Sequence, residues 1–387
     1  MKRRVWEGAG FLAVIVALGT GQAALEQVAA TQTPKGVVPR FEVDPGWPKP
    51  LPLNWVLGQT PNAFVDSQDH IWIVNRPGSL EQGDIGASLT PPTSVCCIAA
   101  PPVIEFDTAG NVLQSWGGPG AGYEWPEGEH GIFVDYKGNV WIAGNGKTDR
   151  QVLKFTNNGK FLLQIGRKGQ GDVRQSPNSN DTGNMNQPAN MFVDPKTNEV
   201  FVADGYGNRR VIVFDAATGK YKRHWGAYGN KPDDEASQER TFEGPGPSQF
   251  YYAHSIRMSN DNLVYVADRR HNRIQVFTPE GKFLKEAFIA RQTLHEFGTV
   301  FDFAFSPDKQ QQFLYVPDAA NWKLRILDRN SLQVLSSFGR QGHFAGQWKW
   351  FHGIAGADSK GNIYTTESVG NRVQKFVYKG MGPVTSQ

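Results

Sequence analysis

Three of the eight histidines in this 387-residue chain occupy the same place in a recurring pattern. His130 stands before GIFVDYKGNVWIAG, His254 before SIRMSNDNLVYVAD and His352 before GIAGADSKGNIYTTE. Each of these stretches reads as a strand, a turn and a second strand. Neutral imidazole suits zinc, and three protein ligands leave a coordination position open to water or substrate, as in catalytic rather than structural sites. Taken singly, each residue reads first as a core histidine bonded to backbone. Their shared slot is what favours a metal. The remaining histidines, His70, His224, His271, His295 and His343, share no slot and are expected in turns or on the surface.

The slot belongs to a unit repeated six times. First strands are NAFVD (62–66), GIFVD (131–135), NMFVD (190–194), SIRMS (255–259), DFAFS (302–306) and GIAGA (353–357). Second strands follow as IWIVN, VWIAG, VFVAD, VYVAD, LYVPD and IYTTE, with third and fourth strand patterns after most of them. The 43 glycines, 24 prolines and 11 tryptophans suit short strands joined by turns. A four-stranded unit with two apolar faces needs a neighbour on each side, so the expected fold is all-β, a six-bladed β-propeller. The last copy lacks a fourth strand, and PRFEVDPGW, ahead of the first copy, is expected to supply it and close the ring.

In such a ring the residues just before the first strands are Pro61, His130, Ala189, His254, Phe301 and His352. Histidine fills alternate blades, about 120° apart around the axis, so three imidazoles should converge on the channel. Just after the second strands stand Arg76, Asn145, Gly205, Arg269, Ala319 and Ser368. Arg76 and Arg269 fall on opposite sides, where two guanidiniums could grip a carboxylate; singly, each reads as well as a surface ion pair. Tyr206, in ADGYGNRR, would sit close enough to a cation to act as a base, or would simply stack in a loop.

The ends and the insertion carry other signals. Lys2, Arg3 and Arg4 precede an apolar run from Ala9 to Leu18 and a small-residue site at Gly21-Gln22-Ala23. That pattern predicts a secretory signal peptide over 1–23, hence a secreted or periplasmic protein. A flexible segment (24–38), the propeller (39–378) and a tail (379–387) complete the expected division. Removing 1–23 takes three basic and one acidic side chain, so the formal charge falls from +3 to +1. No electrostatic footprint for nucleic acid is left, no stable membrane span is expected, and a monomer acting on a small anionic or peptide-like substrate is anticipated. The two cysteines, Cys96 and Cys97, are adjacent, which excludes zinc-ligand spacing and leaves a vicinal disulfide or free thiols. They lie in the longest departure from the repeat, between Asn75 and Val103.

The repeats resemble those of the NHL family of six-bladed propellers. HGIFVDYKGNVWIAG, HSIRMSNDNLVYVADRRHNRIQVF, FHGIAGADSKGNIY, VFVADGYGNRR and IWIVNR further resemble the lyase domain of peptidylglycine α-amidating enzymes. That resemblance implies zinc on His130, His254 and His352, a catalytic Tyr206, active-site Arg76 and Arg269, and cleavage of peptidyl-α-hydroxyglycine to a peptide amide and glyoxylate. It also implies a calcium on the backbone carbonyls of Ala63 and Ile132 and on an Asp beside the third histidine, a place held here by Gly353. The family's paired cysteines and its copper monooxygenase domain have no counterpart in the sequence. Two alternatives remain beside the lyase: a metal-dependent hydrolase on the same histidines, and a non-catalytic propeller that binds a peptide or protein partner.

Overall fold

The computed structural model describes residues 36–169 and 177–384. The expected signal peptide, 1–23, lies outside these residues, as does most of the segment 24–38. Six four-stranded antiparallel sheets make up the ring, blades one to six in chain order. Their innermost strands are Gln59–Val65, Glu129–Val134, Asn190–Asp194, Ala253–Met258, Ala304–Phe305 and Phe351–Ala357. Helix among the described residues is limited to three-residue 3-10 turns, and no helix is long and apolar enough to cross a membrane.

The repeated Asp at the end of several first strands explains why the hairpin forms. One oxygen of Asp135 accepts the backbone N–H of Lys137 and of Asn139, both at 2.9 Å, and the other accepts the Trp141 indole N–H at 3.0 Å. Asp66 holds Gln68, His70 and Trp72 in the same way. A single carboxylate thus caps the turn and pins the second strand, a use of Asp that suits its short, doubly accepting side chain.

Apolar side chains pack between blades. Each of six buried clusters spans one pair of neighbours, closing the circle from blade one to blade six. Tryptophans such as Trp72 and Trp141 are completely enclosed. The strand alternation seen in the sequence therefore buries both sheet faces, the arrangement that leaves the channel-facing edge to polar residues.

The ring is closed as expected. Val37–Asp44 joins the sixth sheet alongside Arg372–Pro383, with Val37 opposite Pro383 and Asp44 opposite Lys375. Phe41 packs 5.5 Å from the ring of Tyr315 and 5.9 Å from that of Phe338. The propeller is wider than the sequence pattern marks: its sheet begins at Val37 rather than 39 and ends at Pro383 rather than 378. KGMGP has no apolar alternation, and it is held by backbone pairing to the N-terminal strand instead of by side-chain burial. The insertion stays with blade one: its Ile98–Ala99 pairs in parallel with Trp55–Val56. Cys96 and Cys97 are joined there as a disulfide.

Candidate metal centre

In the three histidine blades, the ladder between the first and second strands slips by one residue, and the residue skipped is the histidine. Pairing steps from Glu129 to Gly131, from Ala253 to Ser255 and from Phe351 to Gly353. Each histidine is therefore the second residue of its innermost strand, not the residue before it as the pattern suggested. A bulge frees the residue from the ladder and re-aims its side chain. Here it turns the imidazole toward the axis.

The other three blades supply what fixes the rings. His130 Nδ1 lies 2.7 Å from the carbonyl oxygen of Ala189, His254 Nδ1 2.5 Å from that of Phe301, and His352 Nδ1 2.8 Å from that of Pro61. Ala189, Phe301 and Pro61 are the residues of the same slot in blades three, five and one. The six slots thus alternate donor and acceptor around the ring. A carbonyl only accepts, so each Nδ1 must carry the proton, and each Nε2 must present a lone pair when the ring is neutral. Burial, and next to it the charge of Arg76, brings the pKa of His130 down to about 3. Burial likewise holds His254 and His352 well below the ordinary imidazole value, with the charges of His130 and Arg269 adding to it.

The three rings form a nearly equilateral triangle with centroids 4.9–5.1 Å apart. Their ligand atoms all fall within 4.8 Å of one another. A point between them is then within about 2.8 Å of all three, against about 2.0–2.1 Å for a zinc–imidazole bond. Three buried, neutral, pre-oriented imidazoles fit a divalent ion with small ring movements. The cluster can hold a metal.

Tyr206 sits on this triangle. Its hydroxyl oxygen is 3.0 Å from His130 Nε2 and 2.9 Å from His254 Nε2, and it accepts a hydrogen bond of 3.0 Å from Arg269 Nη1. The phenol has one proton to give and two imidazole acceptors facing it. Its place depends on Gly205: a Cβ there would come within 2.3 Å of both the backbone N and O of Ala253, the residue before His254. Only glycine permits that approach of the tyrosine loop to the histidine strand.

Arg269 is buried, with its guanidinium 4.3 Å from the centre of the Phe301 ring and its Nε donating to the Phe297 carbonyl at 2.8 Å. Arg76 stands across the ring and donates to the Glu129 carbonyl (2.6 Å), Gln59 Oε1 (2.9 Å) and Asn145 Oδ1 (2.7 Å). The hydrogen bonds of both guanidiniums end on oxygens of uncharged groups, while the carboxylates of Glu129 and Asp149 act on Arg76 through their charge. A cleft of about 550 Å³ opens beside Arg76, lined by Gln59, Ser79, Pro102, Trp125 and Glu127 among others. Two permanent positive charges beside a metal-competent triad make a site suited to an anion.

The structure brings His130, His254, His352, Tyr206 and Arg269 into one cluster, with Arg76 acting on His130 and His352 through its charge. Sequence reasoning missed the carbonyl acceptors, although Pro61, Ala189 and Phe301 filled the alternate slots in plain view. It also missed Gln59, which sits opposite Arg76 in the ladder. His271 lies in a turn, one of its two expected places, and is buried there, bonded through Nδ1 to Asp268 at 2.9 Å. Its pairing with the Asp that closes the second strand overrides the exposure usual for a turn residue.

Parts of the chain are similar to known proteins. Residues 250–277, which include His254 and Arg269, match the NHL repeat model. The chain is 34% identical over 161 residues to peptidyl-glycine alpha-amidating monooxygenase of Mus musculus, covering 41% of this chain and 14% of that protein. It is 31% identical over 257 residues to peptidyl-glycine alpha-amidating monooxygenase B of Xenopus laevis, covering 64% and 26% respectively. A probable peptidyl-alpha-hydroxyglycine alpha-amidating lyase of Caenorhabditis elegans is 30% identical over 151 residues, 38% of this chain and 36% of that one. The chain spans well under half the length of each of these relatives. It is a six-bladed β-propeller, similar over part of its length to these amidating enzymes.

Proposed function

We propose that this protein is an exported, zinc-dependent carbon–nitrogen lyase that cleaves an α-hydroxyglycine-type carbinolamide to an amide and glyoxylate. The observation that carries the reading is the convergence of three inward-turned imidazoles, Tyr206 and Arg269 on one point. Relatives named for α-amidation support the reaction class. When bound, a zinc ion would act as a Lewis acid toward the substrate's α-hydroxyl. Arg76 and Arg269 bind the substrate carboxylate and orient the α-carbon. Tyr206, as its phenolate, takes the α-hydroxyl proton; the electron pair left on oxygen forms the C=O bond as the C–N bond breaks, and the amide nitrogen, leaving with the C–N pair, receives that proton from the Tyr206 hydroxyl, which restores the phenolate. Arg269 keeps the phenol oxygen aimed at that proton.

Metal analysis of purified protein followed by an assay with α-hydroxyhippurate tests this. One zinc per chain with benzamide and glyoxylate as products is expected. Benzoate in place of benzamide assigns the site to hydrolysis, and a metal-free, inert protein assigns the propeller to binding alone. Export is tested separately, by the N-terminus of the mature protein, which is expected after Ala23.

A further inference from the structure

One layer below the histidines, the inner strands carry Asn62, Gly131, Asn190, Ser255, Asp302 and Gly353. Asp302 is the one carboxylate of that layer, and its lone pairs are spoken for. Its Oδ1 accepts the Ser255 hydroxyl at 2.5 Å and the Phe303 N–H at 2.8 Å; its Oδ2 accepts the Ile354 N–H at 3.0 Å and faces Arg257 Nη2 at 3.6 Å. A carboxylate offers about four acceptor positions; three are filled by hydrogen bonds and the Arg257 guanidinium stands where a bound cation would approach the fourth. Position 353 cannot provide a second carboxylate: a Cβ on Gly353 would lie 2.7 Å from Thr366 Oγ1 and 2.8 Å from the Pro61 carbonyl that already fixes His352. The calcium implied by resemblance, on the carbonyls of Ala63 and Ile132, therefore lacks its acidic ligand, and the residues present do not fit it.

A cation is present all the same. The Arg257 guanidinium enters the channel from blade four, donates from Nη2 to the Ile354 carbonyl of blade six at 2.9 Å, faces Asp302 of blade five, and lies 5.8 Å from the Phe64 ring of blade one. We infer that Arg257 is the built-in cation of this propeller, taking the place of a second bound metal and tying four blades together beneath the triad. The network reaches the triad on two sides: Asp302 follows Phe301, whose carbonyl orients His254, and Ile354 lies two residues after His352.

The test reads calcium and stability, not catalysis, so its failure is distinct from failure of the lyase reading. The wild-type protein, dialysed against calcium and separately against calcium-free buffer, both with the same micromolar zinc, should hold no stoichiometric calcium in the first buffer and melt at the same temperature in both. One calcium per chain with a higher melting temperature overturns the inference. Arg257→Ala should melt several degrees lower, and millimolar guanidinium or calcium at matched ionic strength should recover part of the loss where sodium does not. An Ala variant that melts like wild type, or a loss that neither cation repairs, also overturns it. If the Ala variant fails to fold, Arg257→Lys decides: retained charge should keep the fold with a smaller drop, and equal failure of Lys would leave packing rather than charge as the role.

Discussion

In the proposed reaction the chemistry turns on Tyr206, whose hydroxyl touches two imidazoles and one guanidinium at once. Tyr206→Phe keeps the ring and removes only that oxygen. Metal content should stay at one per chain, while turnover of α-hydroxyhippurate falls about a hundredfold or more, the usual weight of a general base. Full activity in the Phe protein would remove the tyrosine from the mechanism. The histidines make a second prediction, in pH. An ordinary imidazole has a pKa near 6.5, whereas burial holds His130 at about 3. Protons should therefore fail to displace the metal as pH falls through 6.5, and dialysis near pH 5 should leave it bound. The same shift destabilises the metal-free fold in acid. Unfolded histidines take up protons below about 6.5 that folded His130 refuses until about 3, so unfolding binds protons and stability falls as pH falls across that window. Metal loss centred near pH 6.5 would show that the rings are not sequestered. At this scale the sequence was legible where residues share a repeat slot, as the three histidines do. It was silent where the partner is a backbone carbonyl, since the side chains of Ala189 and Phe301 say nothing about their oxygens, and where one arginine, Arg257, departs from the repeat without any neighbour in sequence to explain it.

The elements that position the site are bulged strands and one glycine-tight loop. Strand period and turn residues made the hairpins readable, because alternation and the Asp-capped turn are properties of side chains. The bulges were not readable: a one-residue slip in pairing is decided by the partner strand, and it shifted each histidine from a position before the strand to one within it. Gly205 makes the corresponding prediction. In Gly205→Ala the added carbon would meet the backbone of Ala253 at 2.3 Å on two atoms, and backbone cannot rotate away as a side chain can. The tyrosine loop and the His254 strand must part. The protein should still fold, with a loss of about 1–3 kcal/mol in thermal or denaturant unfolding, but kcat should drop at least tenfold and metal affinity with it. Wild-type turnover in the Ala protein would mean that Tyr206 reaches the site without that close contact.

At the scale of the whole molecule, a ring of six blades has six equivalent packed interfaces, and something must join its ends. This chain joins them inside a sheet: Val37–Asp44 lies beside Arg372–Pro383, so the two ends of the fold share one blade, and the Val384 N–H reaches the Gly36 carbonyl at 3.2 Å. If that shared sheet is what holds the ring, the position of the chain break should matter more than its presence. Two circular permutants separate these effects. Both link Val384 to Gly36 by a short turn, which the existing contact makes geometrically easy. One opens the chain in the loop between Asn157 and Asn158, inside blade two, so that the strand Phe161–Ile165 must return to the strand Val152–Phe155 and close the ring by backbone pairing. The other opens between Gly120 and Ala121, between blades one and two, and leaves closure to side-chain packing alone. The first should melt within a degree or two of the natural order and hold its metal. The second should melt several degrees lower and lose metal first on heating, because opening between blades parts the inner strands that carry the Pro61 carbonyl and His130 without breaking a single ladder bond. Equal melting of the two would show that packing between blades closes the ring unaided and that the shared sheet adds nothing to it.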